Sequence, residues 1–198
     1  NDTGVYLNEV SRTVIDNVFF GENNSSSINM GSSNHISVIN STIFRRIRSR
    51  YSVENILFEN NDVRNYTDLG SHSLVKNNTV DGSISSGSKS TFTQNTVNGR
   101  ISSGENSIVR NNTVENSSDG IRTGDNSIVE NNIVGNNEDT GIDVGLNSTI
   151  QNNIVENSMI GISVEENVLV TQNNFSDISV CGIYYGGNED TEIIAENN

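Results

Sequence analysis

The chain is 198 residues long and carries 25 Asp and Glu against 11 Lys and Arg, a formal net charge of −14, with neither Pro nor Trp. The acidic excess argues against nucleic acid or an anionic membrane surface as a partner, and no run approaches the roughly 18 apolar residues of a membrane span. Scarce Ala beside abundant Asn, Ser, Gly, Val and Ile is poor helix material and good strand-and-turn material, and the single Cys181 leaves no internal disulfide to staple a fold.

Low hydrophobicity with high charge would suit a disordered chain, but Val and Ile recur here at fixed intervals. Taken in chain order, one pattern runs from end to end: an apolar residue, a polar amide three places later and a second apolar residue two places after that. Val109, Asn112 and Val114 are the type example. The amide position reads Asn17, Ser41, Asn61, Asn78, Asn95, Asn112, Asn132, Asn153, Asn173 and Asn197, at intervals of 17 to 24 residues. A second anchor precedes the amide by eleven residues in five successive repeats, at Ile84, Ile101, Ile121, Ile142 and Ile162. The variable length falls between the second apolar residue and the next Ile, so loops insert at one corner only, as a solenoid requires.

Within a repeat, the Ile opens a strand with Ile142 in, Asp143 out and Val144 in, and Gly145 with Asn147 turns the chain. A second strand follows in which Ser127 and Val129 face inward; the backbone bends at Asn132, and Val134 lies in a third strand. Parallel strands stack about 4.8 Å apart, which brings each amide into line with the next and lets buried Asn side chains bond in a ladder. The expected fold is an all-β, right-handed parallel β-helix of about ten coils, a rod of about 45–50 Å. Residues 1–198 read as a single domain, a segment of a longer solenoid or a stacking subunit. Neither end carries a readable cap, and no signal-like leader precedes Asn1. The register is least defined between Phe44 and Thr67, where Arg45, Arg46, Arg48 and Arg50 cluster.

With these repeats in hand, NSIVENNIV followed by GIDVG resembles the repeats of the right-handed parallel β-helix, or pectate-lyase-like, superfamily, in texture closest to archaeal and bacterial surface β-helix proteins. The resemblance covers nearly the whole chain and identifies a fold shared by lyases, hydrolases, epimerases, adhesins and surface proteins. For the enzymes of that group it implies an active face on the first strand and the corner before it. Carried over to this sequence, that face holds Arg122 and Asp143, with Asp119 and Asp139 at its rim; these four are the catalytic candidates, as carboxylates for general acid and base work or as an Arg that neutralises a uronate. The alternative is an exposed ion pair on a solvated surface. The polygalacturonase-like set of N-T-D, D-D, G-H-G and R-I-K is missing, as is the D-P-H of alginate epimerases.

His35 and His72 have no partner at ligand spacing, so no metal site and no cofactor are expected, with calcium held by carboxylates as the one ion kept in view. Tyr184, Tyr185 and Tyr66 are candidates for stacking on sugar rings. Among many N-x-S/T sequons, Asn116 and Asn147 fall at turns and are the accessible ones for glycosylation. The second strand also places Leu74, Ile108, Ile128, Leu169 and Ile193 at positions that should face out, either an interface stripe or core residues if the phase is shifted by one. These features describe an extracellular or cell-surface interaction rod that associates with itself, laterally or end to end, or with surface glycans. A polysaccharide lyase, hydrolase or epimerase, or a fragment of one, is the alternative.

Overall fold

Parallel pairing at every described step builds this chain, because each repeat offers the same inward β-branched residues to the repeats before and after it. The computed structural model describes residues 3–22, 25–50, 52–187 and 194–196. It is an all-β parallel solenoid of about nine turns, with no helix among the described residues. Each full coil has three strands, and so the rod has three faces. The second face is a ten-stranded sheet from Ser11–Asp16 to Ile194–Glu196. The first and third faces belong to one 17-stranded sheet, because Ile154–Val164 and Asn174–Tyr185 run through the corner between them without a break.

Inward positions of the first strand hold a column that includes Ile28, Ile47, Ile84, Ile101, Ile121, Ile142 and Ile162, each fully buried. Thr67 occupies the same column between Ile47 and Ile84. That settles the register between Phe44 and Thr67: a buried Thr stands where the neighbouring coils have Ile. Gly120, Gly141 and Gly161 precede their Ile for a steric reason. A Cβ on any of them would enter the van der Waals shell of the next coil's carbonyl oxygen and of an aromatic or Val side chain inside the coil.

The expected ladder is present from Asn61 to Asn173. The Oδ1 of Asn95 accepts from both the backbone N–H of Asn78 (3.0 Å) and its Nδ2 (2.9 Å), while the Nδ2 of Asn78 also donates to the carbonyls of Lys76 and Phe58. The same arrangement recurs at Asn112, Asn132 and Asn153. Ser41 continues the column by donating its backbone N–H to Asn61. A second ladder runs parallel to the first, where the backbone N–H groups of Ser73, Ser90, Ser107 and Ser127 donate to the hydroxyls of Ser90, Ser107, Ser127 and Ser148. Residues with positive φ precede the ladder positions, among them Asn77, Asn111, Asn131 and Asn152. The repeated N-N is therefore two devices: an Asn that tolerates the left-handed region and an Asn that bonds along the axis.

The first coil departs from the expected register by one residue. Val14 and Phe19 are exposed, Ile15 and Phe20 are buried, and Ile15 pairs with Val38. Asn17 is consequently not a ladder residue. It takes the exposed left-handed slot, φ 55°, while Val18 stands in the column and donates its N–H to the Ser41 hydroxyl. Adjacent apolar residues on both sides of Asn17 permit either phase, and the outward Phe19 ring makes a tilted contact with that of Phe44, centroids 5.5 Å apart. At the other end, Leu169 pairs with Ile194 and Val170 with Ala195, so the register position expected of Ile193 falls to Ile194. Ile193 and Asn197 themselves lie outside the described residues.

Candidate functional site

Strand alternation turns one residue of each first strand outward, and parallel stacking lines these residues up along the rod. Tyr6 pairs with Asn29 and Asn29 with Arg48. Asp68 follows, one residue beyond the Thr67 that pairs with Ile47. Ser85, Ser102, Arg122, Asp143, Ser163 and Tyr184 continue the register without a gap. The column is polar from end to end and has a Tyr at each end, Tyr6 at 65% and Tyr184 at 50% exposure.

The structure brings the four expected acid and base candidates to one stretch of this face. The Nε of Arg122 lies 3.3 Å from Asp143 Oδ2, and a second pair, Arg100 with Asp119, lies beside it at 3.3 Å. Burial pushes the Asp143 carboxyl above the usual carboxylate range. Arg122 opposes that rise, Asp119 adds to it, a hydrogen bond from Ser163 opposes it, and Asp139 adds to it. Asp139 also holds backbone: its carbonyl accepts the N–H groups of Met159 and Ile160, both at 2.9 Å. Arg100 was not among the sequence candidates. It stands directly before Ile101, where the next three coils have Gly, and this replacement is the signal that marks it.

A groove of about 300 Å³ opens along this stretch, with Ser102, Ser103, Arg122, Thr123 and Asp143 in its lining and Asp125 and Glu165 bordering it. Ser103 and Thr123, one coil apart, are buried, and their hydroxyls make no hydrogen bond. A buried hydroxyl without a partner costs about 1–3 kcal/mol, and strand alternation turns both of these inward, away from the groove. Among the described residues, no three His, Cys, Asp or Glu side chains gather to hold a metal ion.

Sequence reasoning missed a second polar centre on the same face. Asp68 is half-buried, and its carboxyl is raised first by burial, with the Ser85 hydrogen bond and Arg48 opposing. Ser85 Oγ donates to Asp68 at 3.3 Å and lies 2.7 Å from the Tyr66 hydroxyl. Tyr66 is thus exposed but tethered, and Tyr184 is exposed in the column. Tyr185 turns inward, half-buried, and packs on the core. Asn116 and Asn147 are both exposed at left-handed turn positions, and Asn116 donates to Asn98 at 2.8 Å. Leu74, Ile128 and Leu169 face out at 36–40% exposure, with Ile108 in the same register. Ile133 and Ile154 on the third face are equally exposed and were not foreseen.

Comparison with known proteins bears on the fold. The family described as "Right handed beta helix region" matches residues 54–198. No curated protein matches the chain. Among solved structures, a hyperthermoactive exopolygalacturonase from Thermotoga maritima is similar with a TM-score of 0.49 and 12% identity, over 87% of this chain and 53% of that one. The chain spans about half the length of that enzyme, and the likeness is one of fold alone.

Proposed function

The chain belongs to the right-handed beta helix family, and on that scaffold we propose that it acts as an extracellular or cell-surface interaction rod that holds an extended glycan along its first-strand face. The observation that supports this reading is the unbroken outward column from Tyr6 to Tyr184, with a polar groove in its middle and an exposed aromatic ring at each end. Ion-paired Arg and Asp offer fixed donors and acceptors to sugar hydroxyls, and an exposed Tyr ring offers an apolar face to a pyranose. A site built by repetition suits a ligand that repeats. Titration with oligosaccharides of increasing length tests it: affinity should rise with length, and Tyr184→Ala should weaken long oligosaccharides about tenfold, or about 1.4 kcal/mol. Failure of every neutral and acidic glycan to bind overturns it.

A second reading rests on the raised Asp143 carboxyl beside Asp119. A carboxyl held toward its protonated form can donate to a glycosidic oxygen while a neighbouring carboxylate serves as base or nucleophile. Under that reading Asp143→Asn abolishes cleavage of an acidic polysaccharide while leaving binding in place. Cleavage that survives the substitution removes Asp143 from the chemistry.

A further inference from the structure

Arg46, Arg48 and Arg50 gather in one groove, unlike the cations that are tied up in ion pairs elsewhere on the rod. Arg64, Lys76, Arg100 and Arg122 each lie within ion-pair distance of a carboxylate. Among the described residues no such pair forms at Arg46, Arg48 or Arg50. They alternate along one strand edge, so all three lie on one side of it, about 7 Å apart. With Tyr6, Asn29 and Ser26 they border a groove of about 400 Å³. Arg46 Nε has only the Ser26 hydroxyl, at 3.4 Å. Arg48 faces Asp68 one coil on, but no ion pair joins them.

The charge distribution adds to this. Five of the 11 Lys and Arg residues fall within the first 50 positions, against four of the 25 Asp and Glu residues. A chain with an excess of carboxylates thus leaves a row of guanidinium groups unpaired in a concave site.

We propose that this groove is an anchoring site for the anionic groups of an acidic glycan, carboxylate or sulfate, and that it orients that glycan with its charged end at the N-terminal coils. The inference rests on the reading of the first-strand face as a glycan platform and adds the ligand's charge and direction. Guanidinium forks match both carboxylate and sulfate geometry. Tyr6 supplies an exposed ring for the sugar face, and Asn29 has an Oδ1 without a hydrogen-bond partner that a sugar hydroxyl can satisfy after rotation of the amide. A bare inorganic anion would use the first of these three features and leave the other two idle.

The experiment compares dextran, carboxymethyl-dextran and dextran sulfate, which share one backbone, by calorimetric titration against the full chain. Wild type should bind at least one charged polymer at least tenfold more tightly than dextran, and the charged polymer preferred identifies the anion. R46Q/R48Q/R50Q should lose that preference while retaining its thermal melt and its binding of neutral oligosaccharides. K89Q/R110Q, which removes two cations elsewhere on the rod, should keep the preference. Equal losses in both variants would show nonspecific ion exchange and overturn the site. Neutral binding without discrimination by charge overturns this inference and leaves the platform standing, whereas no binding to any glycan overturns both.

Discussion

Asn112 shows how much of this molecule is decided at single positions. Its Oδ1 is the acceptor for both the backbone N–H and the side-chain amide of Asn95, and its own Nδ2 reaches three oxygens. Asn112→Leu keeps the volume nearly unchanged but strands the buried Asn95 N–H and the Asn132 acceptor. The cost should be about 1–3 kcal/mol for each group left unsatisfied, seen as a drop in Tm of several degrees in circular dichroism. Asn111→Gly, one residue earlier, should be close to neutral because that slot needs only a left-handed backbone. The two halves of N-N look equivalent in the sequence, and the apolar residue three places before the ladder Asn is what separates them. Where apolar residues are doubled, as at Val14 with Ile15 and Phe19 with Phe20, that criterion loses its force, and Asn17 was misplaced for this reason.

Strands carry the next level of information. The pairing of Arg122 with Asp143 was legible because both follow an Ile eleven residues before a ladder Asn. Arg48 with Asp68 was not, because Thr67 replaces the Ile that would have marked the strand and Ile47 falls at a different spacing from its ladder Asn. The second-face stripe was legible in position, since alternation fixes which residue turns outward once Val109 and Val129 are inward. Its role belongs to the proposed self-association. Burying one aliphatic side chain stabilises by about 1.5–3 kcal/mol, while association costs about 4–15 kcal/mol. Thr91 and Thr149 interrupt the stripe, so shape complementarity decides the balance. Ile108→Asp with Ile128→Asp should preserve the β-rich circular dichroism spectrum and shift sedimentation toward monomer. A wild-type chain that stays monomeric at high concentration rules the lateral interface out.

At the scale of the whole rod, acidity and burial act together. With a net charge of −14 and a sequence pI near 4.3, self-repulsion weakens as the medium is acidified. Asp68 and Asp143 reinforce that trend, because a carboxyl raised in the folded state binds its proton more tightly there than in the unfolded chain. The stability these two groups contribute is fully present below their unfolded values and is lost as pH rises through their raised folded values. Tm should therefore increase as pH falls from neutral toward the ordinary carboxylate range, and D68N/D143N should flatten that slope. A wild-type Tm that declines over the same interval contradicts the assignment.

The ladder also has a direction. From Asn61 to Asn153, each ladder residue's backbone N–H and amide donate forward to the next Asn, and no Oδ1 in that run accepts from the coil that follows it. A coil in this run is chemically incomplete until its successor has been laid down. On a ribosome, where residues emerge from the N-terminus onward, each new turn takes up the ladder donors of the one before it and leaves one set of ladder donors open at the growing tip. The ladder is thus suited to vectorial synthesis, coil by coil, with its open donors never exceeding those of one turn.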